Sequence, residues 1–296
     1  MKQLVMVTGA SGFVGKFVVA ELKNSGYSVK EFDIAKGQNI LDRRAVAEEV
    51  DGIDSVIHLA AIVENGNPKL WEVNVEGTKI LAEEAAKAGV KKFILLSSTG
   101  VYGETKKEID EKSELKPENK YEESKLEAEK IVLEKKGKMQ TVVLRSALIL
   151  GPNEYWARMF KLLRKKMPLP CNGKNSFQVI HVKDTANALV KMIEKGKNGE
   201  IYLAAGEEKI TLNEFCETVQ EKLELKKGVK HIPSIIAILI GKIVGIKVLT
   251  AENIRHISKE RKYPIEKIEK LGWKPGASLK KRIAETIEEL KEKGIL

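Results

Sequence analysis

Cysteine is scarce in this chain: two residues, Cys171 and Cys216, among 296. They stand far apart and show no metal-ligand spacing, which excludes a disulfide framework, offers no metal site and points to a reducing compartment. Aromatic residues make up only 5%. The net charge of +10 invites a nucleic-acid reading, but the lysines are scattered, alternate with glutamates on helical stretches and lack interleaved aromatics, so no nucleic-acid partner is expected. No continuous apolar run approaches the ~18–20 residues of a membrane span. The strongest candidate, 232–249 (IPSIIAILIGKIVGIKVL), is interrupted by Lys242 and Lys247. It is expected to be a buried helix, with a surface anchor or a wall for a greasy substrate as the rival. Repeats and low-complexity linkers are missing too. Met1 leads straight into a strand pattern, so no signal or transit peptide is expected and the location expected is cytoplasmic. What is present is 43% hydrophobic and 32% charged residues, the balance of a soluble globular protein with one large or two unequal domains. Lys/Glu richness with little Gln and Cys resembles a heat-adapted composition.

The organising stretch is 8–15, TGASGFVG. It follows the apolar run Leu4-Val5-Met6-Val7 and precedes an amphipathic run over 13–23, which predicts strand, glycine turn and helix. Gly9 permits the tight turn, Gly12 lets the backbone approach a pyrophosphate, and Gly15 lets the helix lie close on the strand. The free N–H groups and dipole of the helix start then hold phosphate. A second strand over 27–33 ends in Asp33, about 20 residues past the turn, where a carboxylate accepts from both adenosine ribose hydroxyls and repels a 2′-phosphate. The cofactor expected is therefore NAD.

Further strands are read at 55–61, 92–98 and 141–146, with helices near 43–50, 68–88 and 117–136. Alternation of this kind gives right-handed βαβ units and a parallel sheet covered on both faces. Beyond Pro152 the pattern turns irregular: a helix over 155–166, strand then helix over 177–194, a strand at 200–204 that returns to the sheet, and amphipathic helices over 211–223 and 278–291. The fold class is α/β, a Rossmann-type doubly wound parallel sheet with a smaller C-terminal substrate domain. Residues 1–152 and 177–205 are assigned to the first, 153–176 and 206–296 to the second.

Tyr121 and Lys125, in YEESK, stand at i and i+4 and so share one helix face. A free tyrosine titrates near ~10, and a neighbouring ammonium is expected to favour its phenolate. Such a tyrosine can take a proton from a substrate hydroxyl while hydride leaves the same carbon. Ser98 ends a strand, where parallel sheets place ligands, and its hydroxyl can hold the substrate oxygen.

Nearly the whole chain resembles the extended short-chain dehydrogenase/reductase superfamily, of the NAD-dependent epimerase/dehydratase type. The resemblance rests on TGASGFVG, HLAA at 58–61, NVEGT at 74–78, SSTGVYG at 97–103, YEESK at 121–125, LRSALILGP at 144–152, IHVKD at 180–184 and LGWKP at 271–275. It implies Ser98, Tyr121 and Lys125 as the catalytic triad. Around the cofactor it implies Gly9, Ser11, Gly12, Phe13, Val14, Gly15 and Asp33, then Asn39 and Ile40 toward the adenine. Leu59, Ala60 and Ala61 follow the pyrophosphate, with Asn74, Ser146, Tyr121 and Lys125 also against the cofactor. Homodimers packed through the helices that carry Asn74 and Tyr121 are implied as well. Thr99, Leu148, Arg164 and Phe177 fall at substrate positions.

Departures from the family pattern narrow the function. Dehydratases of this kind carry Asp-Glu where this chain has Thr99-Gly100. The epimerase asparagine after the LR motif is Leu148 here, and a pyrophosphate-clamping arginine is Phe177. Arg164 or a neighbouring lysine is expected to replace that clamp. The leading expectation is a nucleotide-sugar epimerase or dehydrogenase, resembling UDP-glucose 4-epimerase. The alternatives are a reductase or dehydrogenase for a less polar ketone, similar to the 3β-hydroxysteroid dehydrogenase and dihydroflavonol reductase branches, and a non-catalytic NAD-binding scaffold.

Overall fold

A computed structural model describes residues 3–103, 108–244, 254, 260 and 262–296. Six parallel strands form its centre: β1 (Leu4–Thr8), β2 (Ser28–Phe32), β3 (Ser55–His58), β4 (Lys92–Ser98), β5 (Gln140–Ser146) and β6 (Glu200–Ala204). Their order across the sheet is β2-β1-β3-β4-β5-β6. The chain steps outward from β1 to β2, then returns past β1 to β3 and continues to the far edge. That reversal opens a crevice at the C-terminal ends of β1 and β3, where Thr8 and His58 stand. The turn 9–12 and the segment 59–61 lie immediately beyond them.

Both faces of the sheet are covered, and strand residues divide between them by parity. Helices are α1 (Phe13–Asn24), α2 (Arg43–Val50), α3 (Gly77–Lys87), α4 (Lys120–Leu133), α5 (Glu154–Arg164), α6 (Val182–Lys195), α7 (Leu212–Lys222) and α8 (Ser234–Val244), besides shorter and later pieces. Val18 and Leu22 of α1 and Leu189 and Ile193 of α6 pack with Val5, Val7, Ile94 and Val142 on one face. Val46, Leu81, Ala85, Ala128 and Val132, from α2, α3 and α4, pack with Met6, Val56, Phe93 and Val143 on the other. A third cluster joins α5, α7 and the C-terminal helix Leu279–Glu292 through Trp156, Phe160, Phe215, Val219, Ile283 and Ile287. Leu150 and Val179 enter it from two short parallel strands, Leu148–Leu150 and Val179–His181, which follow β5 and precede α6.

Two elements depart from expectation. Helix α4 begins at Lys120 rather than at Pro117, because the Asn119 side chain caps it by accepting from Glu122 N–H at 2.9 Å. Helix α8 is not buried as expected. It packs Ala237 and Ile238 against Tyr155, Met159, Leu162 and Met167, and leaves Ile235, Ile236, Leu239 and Ile243 exposed. Its apolar residues surround the helix, while only one side has protein to lie on. Residues 245–249 of the same stretch, Lys247 included, lie outside the described residues.

Candidate active site

The glycine turn has the shape its spacing predicts. Gly9 takes φ +69° and passes so near residue 60 that a Cβ would stand 2.8 Å from Ala60 N. A Cβ on Gly15 would fall 2.1 Å from Gly9 O, so only hydrogen there lets α1 close on the turn. Gly12, by contrast, is exposed and would meet only Gly9 O, at 3.1 Å. It precedes α1 with no side-chain cap and no acidic residue in the first turn. The first-turn N–H groups, from Phe13 and Val14 onward, therefore face an anion site rather than a protein cap. Asp33, at the end of β2, accepts from Ser11 N–H (2.8 Å) and Ala35 N–H (2.8 Å), one on each oxygen. A carboxylate has about four acceptor positions, so each oxygen keeps capacity for a ribose hydroxyl. These residues fit NAD. Asn39 is exposed and its amide oxygen accepts from Leu41 N–H at 3.0 Å, while buried Ile40 lies against Gly77.

A chain of buried hydrogen bonds, missed in the sequence, ties this turn to the helix bearing Tyr121. Thr78 Oγ1 donates to Asn74 O at 2.5 Å, so it accepts from His58 Nε2–H at 2.9 Å. His58 Nδ1 must then accept from Thr8 Oγ1–H at 2.7 Å, and the same Thr8 oxygen accepts from Leu59 N–H and Ala60 N–H. Burial, helped by the Lys125 charge, pushes His58 down to about 3, which keeps the ring neutral for this role. Asn74 sits in a single π turn, Glu72–Glu76, closed by Gly77 N–H on Glu72 O. Its amide bonds Ile62 N–H (2.7 Å), Ile62 O (2.9 Å) and Ser124 Oγ (2.9 Å). Asn74 thus braces 60–62 against α4. The one signal for His58 was its place in HLAA, after a buried strand.

Ser98 ends β4 opposite Ser146 of β5, and its Oγ accepts from Gly100 N–H at 3.0 Å. That leaves the Ser98 O–H free to donate. Ser146 is buried, with Oγ 2.9 Å from Ala147 O. Tyr121 and Lys125 share the buried side of α4. Neither the Tyr121 hydroxyl nor the Lys125 ammonium makes a hydrogen bond to a described residue. The expectation of a stabilised phenolate is corrected here. Burial, then the Glu122 charge, pushes Tyr121 up to about 12. Burial pulls Lys125 down to about 8, against the opposing influence of Glu129. In the free protein desolvation is the dominant influence on both groups.

One turn beyond Lys125, Glu129 forms a fully buried pair with Arg145 of β5: Nε to Oε1 at 3.0 Å and Nη2 to Oε2 at 2.6 Å. Arg145 also donates to Tyr102 Oη at 2.7 Å and lies 4.9 Å over its ring, while Ser97 Oγ donates to Glu129. This cluster locks β4, α4 and β5 together beside Ser98, Lys125 and Ser146. The expected substrate positions are not all together. Thr99 is buried, Leu148 is 44% exposed, and Phe177 packs on Phe215 with ring centroids 5.9 Å apart. Arg164 instead donates to Leu296 O at 2.7 Å, at the end of the chain. Gly100 has no room for a side chain, since a Cβ would meet Glu122 Cγ at 2.9 Å.

Comparison with known proteins bears on the family and the fold. The model of the NAD dependent epimerase/dehydratase family matches residues 5–205. The dTDP-D-glucose 4,6-dehydratase of Mus musculus is 29% identical, over 96% of this chain and 87% of its own. The decarboxylating sterol-4-alpha-carboxylate 3-dehydrogenase of Dictyostelium discoideum is 27% identical, over 71% of this chain and 74% of its own. The structure of UDP-glucose 4-epimerase with UDP-glucose from Thermotoga maritima superposes with a TM-score of 0.83 at 23% identity, covering 99% of this chain and 100% of that one, and so shares the fold.

Proposed function

The chain belongs to the NAD dependent epimerase/dehydratase family, and we propose that within it the protein epimerises or oxidises a secondary alcohol of a nucleotide sugar. It is an NAD-dependent enzyme of the extended short-chain dehydrogenase type. When bound, NAD supplies the acceptor for the hydrogen leaving the substrate carbon. Ser98 donates to the substrate oxygen, Tyr121 exchanges a proton with it, and Lys125 brings the cation that favours the phenolate. The observation that carries this reading is the pair of uncommitted polar heads, Tyr121 hydroxyl and Lys125 ammonium, one turn apart on α4, the helix that packs on β4, the strand Ser98 ends. A dehydratase is disfavoured although relatives carry that activity. The acidic pair is Thr99-Gly100 here, and the Glu122 side chain fills the space a second acid would need. We also propose a cytoplasmic homodimer joined through the helical stretch that carries Asn74 and runs on into α3, and through α4, which carries Tyr121, with residues 153–176 and 206–296 as the substrate-binding part.

A second reading, oxidoreduction of a less polar ketone, is favoured by exposed Leu148, by the aromatic setting of Phe177 and by the sterol dehydrogenase relative. The two readings separate in one assay. UDP-, dTDP- and GDP-sugars are incubated with protein and NAD, and interconversion or NADH formation is followed. Conversion of any nucleotide sugar supports the first. No conversion, with NADH consumed on an apolar ketone, replaces it by the second. Because Arg164 is engaged at the chain end, Arg164→Ala is expected to change KM less than about twofold, short of a lost charge-assisted bond. A tenfold rise would restore it as the diphosphate clamp.

A further inference from the structure

The outer side of α8 has no role in the chemistry above. Ile235 (73% exposed), Ile236 (45%), Leu239 (52%) and Ile243 (83%) recur at helical spacing and form one stripe, about 12 Å long at 1.5 Å per residue. Its inner side is held: Ala237 is buried, and Ile238 packs with it among Tyr155, Met159, Leu162 and Met167. The stripe is therefore the presented face of an anchored helix. Ser234–Val244 carries no acidic residue. Lys242 is exposed on it, and Lys161, Lys165 and Lys166 are exposed on and just past the end of α5, next to Leu162 and Met167. None of these four lysines enters an ion pair with a described residue.

An exposed aliphatic stripe, with unpaired ammonium groups on its own helix and on the neighbouring α5, complements an anionic bilayer in both respects. The acyl boundary receives the stripe, and lipid phosphates receive the lysines. At 11 residues α8 lies in the plane of such a surface, and no helix among the described residues is long and apolar enough to cross a membrane. A second copy of the chain fits less well, because a two-fold contact would bring the same lysines together around the patch. We propose that α8 docks this protein peripherally on an anionic phospholipid bilayer. The proposal goes beyond the catalytic reading and holds for either substrate class.

The test is flotation of the full chain with phosphatidylcholine vesicles, with and without phosphatidylglycerol. The protein is expected to float with the phosphatidylglycerol vesicles, less so in high salt but still measurably. Leu239→Ser with Ile243→Ser should weaken binding about tenfold or more, from the apolar area lost. Lys242→Glu should weaken it about fivefold or more. NAD affinity and thermal unfolding should be unchanged in both, which shows intact folding. Failure of the unmutated protein to float, equal binding to vesicles lacking phosphatidylglycerol, or unaltered binding by the serine variant overturns the proposal. So does conversion of a dimer to a monomer by the serine variant in light scattering, which would make the stripe a contact between copies.

Discussion

Tyr121 and Lys125 stand one helical turn apart, and burial moves them in opposite directions, the phenol up to about 12 and the ammonium down to about 8. Both shifts favour the neutral form. At neutral pH Lys125 still carries its charge, so what proton abstraction lacks in the free protein is the phenolate, which ligand binding is expected to favour. Tyr121→Phe is expected to lower turnover ~10²–10⁴-fold, the usual worth of a positioned acid/base, with NAD affinity kept. An unchanged rate would remove Tyr121 from the chemistry. Lys125 carries a second consequence. Its folded pKa lies below that of the unfolded chain, so stability is lost as pH falls from about 10.5 to about 8, and the full cost is present below that. Lys125→Met is expected to stabilise the free protein at neutral pH by about 3 kcal/mol while turnover disappears. Urea unfolding at pH 7 measures this, and no gain would mean that the ammonium is already satisfied. In the same free protein, kcat/KM should fall above pH about 8 as Lys125 loses its proton, a limb that Lys125→Arg should move upward.

Among elements, the contact of β4, α4 and β5 decides whether the site has a fixed shape. Glu129 and Arg145 are desolvated together, with Ser97 and Tyr102 completing their hydrogen bonds. Arg145→Met alone leaves a buried carboxylate and is expected to cost ~3–5 kcal/mol. Arg145→Met with Glu129→Leu should cost less than Arg145→Met alone, because no buried charge is orphaned. Additive losses in chemical denaturation would show that the two side chains act separately. This pair was not legible in the sequence, where Glu129 looks like one more charge on a charged helix and its partner lies 16 residues on, in β5. What was legible had a local cause. Short apolar runs alternating with amphipathic ones marked the sheet, and the glycine spacing marked the turn, because single residues there meet constraints set by their own neighbours. The amphipathic stretches 211–223 and 278–291 form helices that Thr211 and Ser278 cap with their own side chains. Helix α8 was legible as a helix but not as an exposed one, since hydrophobicity names what a side chain avoids and not whether a partner exists. The Leu296 partner of Arg164 was not legible either, since the two are brought near only by the third core.

For the whole molecule, acid should be the sharpest stress. His58 and His181 are both pushed down to about 3, chiefly by burial. Unfolded, each regains a pKa near 6.5, so the unfolded chain binds the extra protons. Stability is complete above pH about 6.5 and is lost as pH falls toward about 3. Between pH 6.5 and 5 the slope should approach ~2.7 kcal/mol per unit for two protons, before most carboxylates titrate. Urea unfolding at pH 7, 6 and 5 checks it; a flat profile would mean that the rings accept protons while folded. The C-terminal segment adds a different consequence. Tyr263, Ile265, Ile268 and Trp273 belong to the core of the sheet, and the Trp273 indole donates to Asp184 O at 3.3 Å. A chain leaving the ribosome N-terminus first completes its nucleotide-binding turn early, yet carries an open apolar floor until the segment before its last helix emerges. The period of greatest vulnerability to chaperones and proteases thus falls late in synthesis, and its length is set by the distance along the chain between β6 and Trp273.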